Sequence, residues 1–151
     1  MTTATLEMAR LREAAGTHLG FTDWQEMTQE RVNEFADATD DHQFIHVDVE
    51  RAKETPFGGT IAHGYLTLSI VPALLSSIVT IEGMSMGLNY GCNKVRFPSP
   101  LPVGAKVRLG AALQSVEEVA GGVQAIIGAT IEVEGQEKPA CVADVVYRYY
   151  D

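Results

Sequence analysis

Residues 62–79, AHGYLTLSIVPALLSSIV, decide the fold because they form the most apolar stretch of the chain. Apolar side chains fall on almost every face of a helix built from this stretch, so we predict that protein surrounds the helix on all sides. Pro72 should kink the helix, since a proline removes one amide donor and crowds the preceding turn. Polar and small residues interrupt the stretch too often for a membrane span, which favours a buried helix.

The sequence after Met84 changes to a period of two, which is typical of β-strands. Val95 and Phe97 alternate with Lys94 and Arg96, so the first two should be buried and the last two should point away from the core. Short glycine-containing turns separate the later strands, which should therefore be antiparallel. Three later strands alternate in the same way, with the predicted inward residues Val107, Leu109, Ala111, Leu113, Val123, Ala125, Ile127, Ala129, Ile131, Val133, Cys141, Ala143, Val145, Tyr147 and Tyr149.

One apolar helix followed by about four strands indicates an α+β protein with the hotdog fold, a curled antiparallel sheet wrapped around a long central helix. The outer face and the edges of such a sheet need cover, which favours self-association. Nearer the start we expect an amphipathic helix over Leu6–Ala15 and a second helix over Gln29–Thr39 that Thr28 caps. Asp48 should cap a short helical turn after it.

The bulk composition bounds the class of protein. A length of 151 residues, of which 46% are hydrophobic, suits one domain spanning 1–151 with a substantial core. A net charge of -9 is a poor match for a nucleic-acid backbone. We interpret Cys92 and Cys141 as reduced core thiols. Because Arg10 and Arg12 interrupt the apolar residues at the start, we expect no signal peptide and a cytoplasmic protein that does not enter membranes.

The stretch DDHQFIH, residues 40–46, contains an acid and an imidazole that face each other only if the chain bends. Five residues along a helix separate Asp41 and His46 by about 140°, and an odd step along a strand puts them on opposite faces. The alternative is an exposed loop in which the acid only caps. We predict that His63 is a structural hydrogen-bonding residue and that His18 and His42 lie on the surface.

A glycine-rich loop, TPFGGTIAHG at residues 55–64, leads into the apolar helix. The first amides of a helix have no partner within it and carry partial positive charge. Gly64 lacks a side chain, so an oxygen that gains negative charge can approach its amide closely. A carboxylate, an imidazole and such an amide are the groups needed for proton transfer next to a carbonyl. Alternatively, the glycines only permit a tight loop.

Residues 35–75, FADATDDHQFIHVDVERAKETPFGGTIAHGYLTLSIVPALL, resemble the MaoC-like hydratase family, which contains the (R)-specific enoyl-CoA hydratases, also called hydratase 2. The family motif Gly-Asp-x-Asn-Pro-hydrophobic-His aligns with Asp40 to His46. The chain departs from that motif at Asp40, Gln43 and Phe44. The resemblance runs over nearly the whole chain and is strongest to small single-domain actinobacterial-type enoyl-CoA hydratases.

The resemblance implies hydration of trans-2-enoyl-CoA to (R)-3-hydroxyacyl-CoA, and the reverse dehydration. Asp41 and His46 would activate a water molecule, and the Gly64 amide would form the oxyanion hole. No cofactor or metal is expected, because coenzyme A is part of the substrate. A homodimer or higher homo-oligomer is expected, with the site near the subunit interface.

The resemblance also implies substrate-binding roles for four residues outside this catalytic set. Gln43 would offer an amide to the water or to the catalytic acid. Tyr65 would line an acyl tunnel, and Lys94 and Arg96 would contact the phosphates of coenzyme A. Two other functions stay open from the residues alone, a hotdog thioesterase and a non-catalytic acyl-CoA-binding subunit.

Overall fold

The computed structural model describes residues 3–151, in which an antiparallel sheet packs around a central helical segment. No helix in this range is long and apolar enough to cross a membrane. A 3₁₀ helix spans Met8–Ala14. The helices are α1 Gln29–Thr39, α2 Phe44–Val47, α3 Val49–Ala52, α4 Gly64–Ser69 and α5 Val71–Ile78. The strands are β1 Ala4–Glu7, β2 Thr17–Phe21, β3 Gln25–Glu26, β4 Val79–Glu82, β5 Met86–Arg96, β6 Lys106–Val119, β7 Gly122–Val133 and β8 Cys141–Tyr150.

The main sheet has the strand order β2-β6-β7-β8-β5, with β3 also paired to β6. All of its pairings are antiparallel, as the short turns predict. The predicted inward residues of β6, β7 and β8 are buried, apart from the half-buried Val123. They form one core cluster with the apolar side of the central helices. The alternation read from the sequence therefore identifies the concave face of the sheet.

The central helical segment is divided at Ile70 into α4 and α5, next to Pro72, as predicted. Helical hydrogen bonds persist on both sides of the proline. The Ile70 amide donates to the Leu66 carbonyl, and the Leu74 amide donates to the Ile70 carbonyl. The prediction that protein surrounds this helix on all sides is wrong for the single chain. Tyr65 is 73% exposed, since the sheet covers only one side of α4.

The predicted helix over Leu6–Ala15 is wrong in its first part. Residues Ala4–Glu7 form a strand that pairs in parallel with β4, and only Met8–Ala14 is helical, in a 3₁₀ form. Pairing with a strand more than seventy residues away overrides the local pattern. The helix α1 has the predicted limits, and the Thr28 hydroxyl accepts from the Arg31 amide. Asp48 caps α3 in the same way.

The strand β5 lies at the end of the main sheet, and both of its faces are open. Every residue of β5 is exposed except Val95, which is half-buried. Phe97 just beyond it is 42% exposed, and Cys92 is exposed, so the predictions that these two are core residues are wrong. Cys141 is buried, as predicted. Alternation indicates the two faces of a strand, but it does not reveal that residues 3–151 leave both faces of β5 open.

Candidate active site

The bend that the sequence requires begins at Asp40, directly after α1. Asp40 has φ 60° and ψ 21°, and among residues 3–151 it is the only non-glycine residue with a positive φ. Left-handed backbone of this kind commonly ends a helix and is easiest for glycine, although Asp tolerates it. The family motif has glycine at this position, so Asp40 keeps the turn that the glycine would make.

The bend brings Asp41 and His46 together, and it adds His63 to them. One side-chain oxygen or ring nitrogen from each of the three residues lies within 4.8 Å of those of the other two. The amide of Ile61 donates to the carbonyl of Ile45 at 3.0 Å, which ties the loop before α4 to α2. We call Asp41, His46 and His63 the acid–imidazole cluster. The convergence predicted for Asp41 and His46 is confirmed.

His46 is buried and held in one tautomer. Its Nδ1 lies 2.6 Å from the carbonyl oxygen of Ile61 and must donate, because a carbonyl only accepts. Its own carbonyl accepts from the Gln29 side-chain amide at 2.7 Å, and Gln29 in turn accepts from the Thr60 hydroxyl at 2.6 Å. The Nε2 of His46 is therefore the nitrogen with a free lone pair, and its direction is fixed from two sides.

The electrostatic surroundings keep His46 neutral. Burial lowers the pKa of His46 below its usual 6.5, and the neighbouring His63 lowers that pKa further. The Ile61 carbonyl and Asp41 act in the opposite direction, but burial has the largest effect. A neutral imidazole can accept a proton at Nε2, which is the form that a general base needs.

His63 has a structural role, as predicted, and it also faces the cluster. Its Nε2 donates to the main-chain carbonyl of Asp41 at 2.9 Å. Its ring stacks on the ring of His46, with centroids 3.8 Å apart and planes inclined by 25°. Its Nδ1 is buried and has no hydrogen-bond partner among residues 3–151. The sequence did not reveal that His63 lies in the acid–imidazole cluster, although its position directly before Gly64 was a signal.

Gly64 is the first residue of α4, directly after His63. Its amide belongs to the first turn, which has no partners within the helix. A Cβ at this position would lie 3.0 Å from the Phe97 ring. A side chain here would press on the aromatic ring after β5, so glycine lets that ring pack closely against the backbone, a reason the sequence did not reveal.

The four remaining predicted residues lie on the surface around the cluster. Gln43 is exposed, and only its main-chain amide reaches Asp41, at 3.4 Å from the carboxylate. The Tyr65 ring meets Phe97 edge-on with centroids 6.3 Å apart. Lys94 and Arg96 are exposed and form no ion pair with an acidic residue in the part of the chain that is described.

An apolar cleft runs along the open side of α4 and α5, between these helices and the strands β5 and β8. Its first part has a volume of about 300 Å³ and is lined by Leu68, Ser69, Val71, Pro72, Asn89, Gly91, Cys92, Val145 and Tyr147. A second part of about 260 Å³ continues past Pro72 and Tyr147 toward Met84. Burial raises the pKa of Tyr147 to about 12, so its phenol stays protonated. Leu66, the residue after Tyr65, is buried in the core.

Two imidazoles and a carboxylate are also donor types that bind divalent metals. The hydrogen bonds to Ile61 and Asp41 use the other nitrogen of each ring, so they leave His46 Nε2 and His63 Nδ1 with free lone pairs. These nitrogens and the carboxylate also accept hydrogen bonds from a small molecule.

The protein-family model described as "MaoC like domain" matches residues 10–135. The chain belongs to the MaoC-like dehydratase family. It is 54% identical to the 3-hydroxyacyl-thioester dehydratase Z of Mycobacterium tuberculosis, over 94% of this chain and 95% of that protein. It is 43% identical to nodulation protein N of Rhizobium leguminosarum bv. viciae, over 92% of this chain and 88% of that protein.

The solved structures confirm the hotdog fold of this MaoC-like chain. The (R)-hydratase from A. caviae involved in PHA biosynthesis superimposes with a TM-score of 0.73 at 22% identity, over 88% of this chain and 94% of that one. At this identity the likeness concerns the fold alone. The predicted fold class and the predicted family are therefore both confirmed.

Proposed function

We propose that this protein adds water reversibly to trans-2-enoyl-CoA and forms (R)-3-hydroxyacyl-CoA. The observation that carries the proposal is the convergence of Asp41 with a neutral, buried His46 whose Nε2 is free. The 54% identity to a protein named as a 3-hydroxyacyl-thioester dehydratase supports the same reaction. Proton transfer and backbone charge stabilisation are sufficient for this chemistry, so we propose that no cofactor takes part.

In the proposed mechanism, Asp41 and His46 hold the water and remove one of its protons as its oxygen attacks C3. Negative charge then develops on the thioester oxygen, and the Gly64 amide stabilises the resulting enolate. Loss of one such donor typically raises the barrier by about 3 kcal/mol. The same acid–imidazole pair returns a proton to C2 on the same face, which gives a syn addition.

The substrate would lie across the start of α4. The apolar cleft beside α4 and α5 would take the acyl chain, with Tyr65 at its entrance. Phe97 packs on Gly64, so the end of β5 lies beside the proposed oxyanion site. Lys94 and Arg96 near that end would contact the phosphates of coenzyme A, and Gln43 would help to hold the water or Asp41.

A second copy of this chain is the proposed cover for β5. The strand is a long unpaired edge with exposed apolar side chains, including Met86, Leu88 and Tyr90. Soluble proteins seldom leave such an edge open. Sedimentation velocity should give a homodimer or a larger even assembly, and a monomer at micromolar concentration would contradict this part of the proposal. We place the protein in the cytoplasm, consistent with its free cysteines.

The test is hydration of crotonyl-CoA, followed by chiral analysis of the product and by a series of longer enoyl chains. The expected product is the (R)-3-hydroxyacyl thioester. The Asp41→Asn protein, purified in the same way, controls for contaminating hydratases. Release of free thiol from saturated acyl-CoA without hydration would replace the proposal with a thioesterase. Tight binding of enoyl-CoA without turnover would indicate a non-catalytic binding subunit.

A further inference from the structure

Each residue of the acid–imidazole cluster has a hydrogen-bond acceptor that no bond within the cluster uses. His46 donates through Nδ1 to the Ile61 carbonyl, which leaves Nε2 as an acceptor. His63 donates through Nε2 to the Asp41 carbonyl, which leaves Nδ1 as an acceptor. The carboxylate of Asp41 only accepts. One side-chain oxygen or nitrogen of each residue lies within 4.8 Å of those of the other two, so a molecule that carries hydrogens can bond to the cluster.

The unpartnered Nδ1 of His63 shows that the cluster is built for such a molecule. His63 is 3% exposed, and this nitrogen finds no partner in the described part of the chain. Buried polar atoms without a partner are rare because they lose their water without replacement. A purely structural residue could donate to the Asp41 carbonyl without placing a second, unpaired nitrogen in the site.

The reaction itself requires two different acceptors around the attacking oxygen. Water has two hydrogens, and one leaves as a proton when the oxygen bonds to C3. The other stays on the oxygen and becomes the hydrogen of the 3-hydroxyl group. The proposed function gives the departing proton to the Asp41–His46 pair and assigns no acceptor to the hydrogen that stays.

We propose that His63 Nδ1 accepts the hydrogen bond from the hydrogen that remains on the attacking oxygen. His63 thereby orients the water in hydration and recognises the 3-hydroxyl group in dehydration. It takes no proton in this proposal, because the departing proton goes to the Asp41–His46 pair. This inference rests on the proposed hydratase function and adds a specificity residue to it.

Two substitutions separate the two nitrogens of His63. His63→Gln keeps a donor near the Nε2 position, facing the Asp41 carbonyl, but removes the Nδ1 acceptor. His63→Asn keeps an acceptor near the Nδ1 position but removes the donor. We expect His63→Gln to lower kcat/KM for crotonyl-CoA hydration about 100-fold, because it loses one hydrogen bond to a reacting oxygen. We expect His63→Asn to lower the same quantity about tenfold or less. Circular dichroism and the Tm check that both variants fold.

Binding measurements on the wild-type protein provide a second test that needs no variant. Calorimetry should show that (R)-3-hydroxybutanoyl-CoA binds about tenfold more tightly than butanoyl-CoA, which lacks the hydroxyl. In His63→Gln that preference should disappear while the affinity for butanoyl-CoA stays the same.

A near-normal rate in His63→Gln, or a larger loss in His63→Asn than in His63→Gln, would overturn the inference and leave only the bond to the Asp41 carbonyl. Equal affinity of the wild-type protein for the two ligands would overturn it as well, even if neither variant folds. Failure of the wild-type protein to hydrate any enoyl thioester would instead refute the proposed function.

Discussion

The acid–imidazole cluster and the strand β5 lie on either side of the start of α4, and they differ in how far one chain finishes them. In the cluster, both imidazoles are buried and anchored to main-chain carbonyls. In β5, the side chains on both faces are exposed, and one edge has no neighbour within residues 3–151. The difference teaches that one chain by itself brings the acid and both imidazoles together, whereas the side chains of β5 have no cover within residues 3–151.

The largest expected effect comes from breaking the cluster. Asp41→Asn and His46→Gln should each lower kcat by about 10³-fold, because each removes an acceptor for the proton that leaves the water. The fold should persist, since Asp41 is exposed and Gln fills much of the volume of the His46 ring, although it gives up the bond from Nδ1 to the Ile61 carbonyl. Steady-state hydration kinetics and thermal melts measure the two quantities separately.

A second acid–imidazole pair in the same region provides the matched control. His42 and Asp37 form a hydrogen bond of 2.8 Å, but both side chains are largely exposed. Asp37→Asn and His42→Gln should leave turnover within about twofold of the wild type, since exposed pairs of this kind contribute little. If the buried and exposed pairs lose similar activity, Asp41 and His46 do not have the assigned roles.

An intermediate effect is expected at the end of β5. Lys94→Ala and Arg96→Ala should each raise KM for enoyl-CoA about fivefold at low salt with little change in kcat, because the proposed function places these cations at the phosphates of coenzyme A, far from C3. The increase should shrink as salt is added. Lys106→Ala, which removes an exposed lysine at the start of β6, should have no effect. A loss confined to kcat would place these cations in the chemistry instead of in phosphate binding.

Local signals in the sequence were sufficient for the part of the site within one chain. At the spacing of Asp41 and His46, the two side chains can meet only if the chain bends between them. The caps Thr28 and Asp48 fix the helices on either side of that bend. Asp40 stands where the family motif has glycine, so the motif is harder to recognise in the sequence. The backbone at Asp40 is nevertheless left-handed, which is the conformation that the glycine would adopt. The sequence did not reveal the full surroundings of His63, because only the fold shows that its Nε2 contacts the Asp41 carbonyl while its Nδ1 is buried without a hydrogen-bond partner among residues 3–151.

Predictions that depended on distant neighbours were less successful. The start of the chain pairs with β4, a contact that no local pattern around Leu6 indicates. Phe97 and Cys92 follow a strand pattern and yet lie on open surface, because β5 ends the sheet. An apolar pattern reports that a residue needs cover, but it does not report whether the same chain or a second copy supplies that cover.

The smallest expected effect is a pair of opposite pH dependences from the buried and the exposed histidine. Burial lowers the pKa of His46 below 6.5, so as pH falls through that value the unfolded chain takes up a proton more readily than the folded one, and stability is lost. The bond to Asp37 raises the pKa of His42, so its stabilisation is present below 6.5 and is lost as pH rises through the folded pKa.

Thermal melts of His46→Gln and His42→Gln between about pH 5 and about pH 8 isolate the two contributions, because other groups titrate equally in all three proteins. Relative to the wild type, His46→Gln should lose less stability as the solution is acidified, and His42→Gln should lose more. The sign is decisive because it depends only on which state of each histidine holds its proton more tightly. Equal slopes for His46→Gln and the wild type would mean that the His46 ring is not desolvated in the folded protein, and the neutral base required for hydration would lose its physical cause.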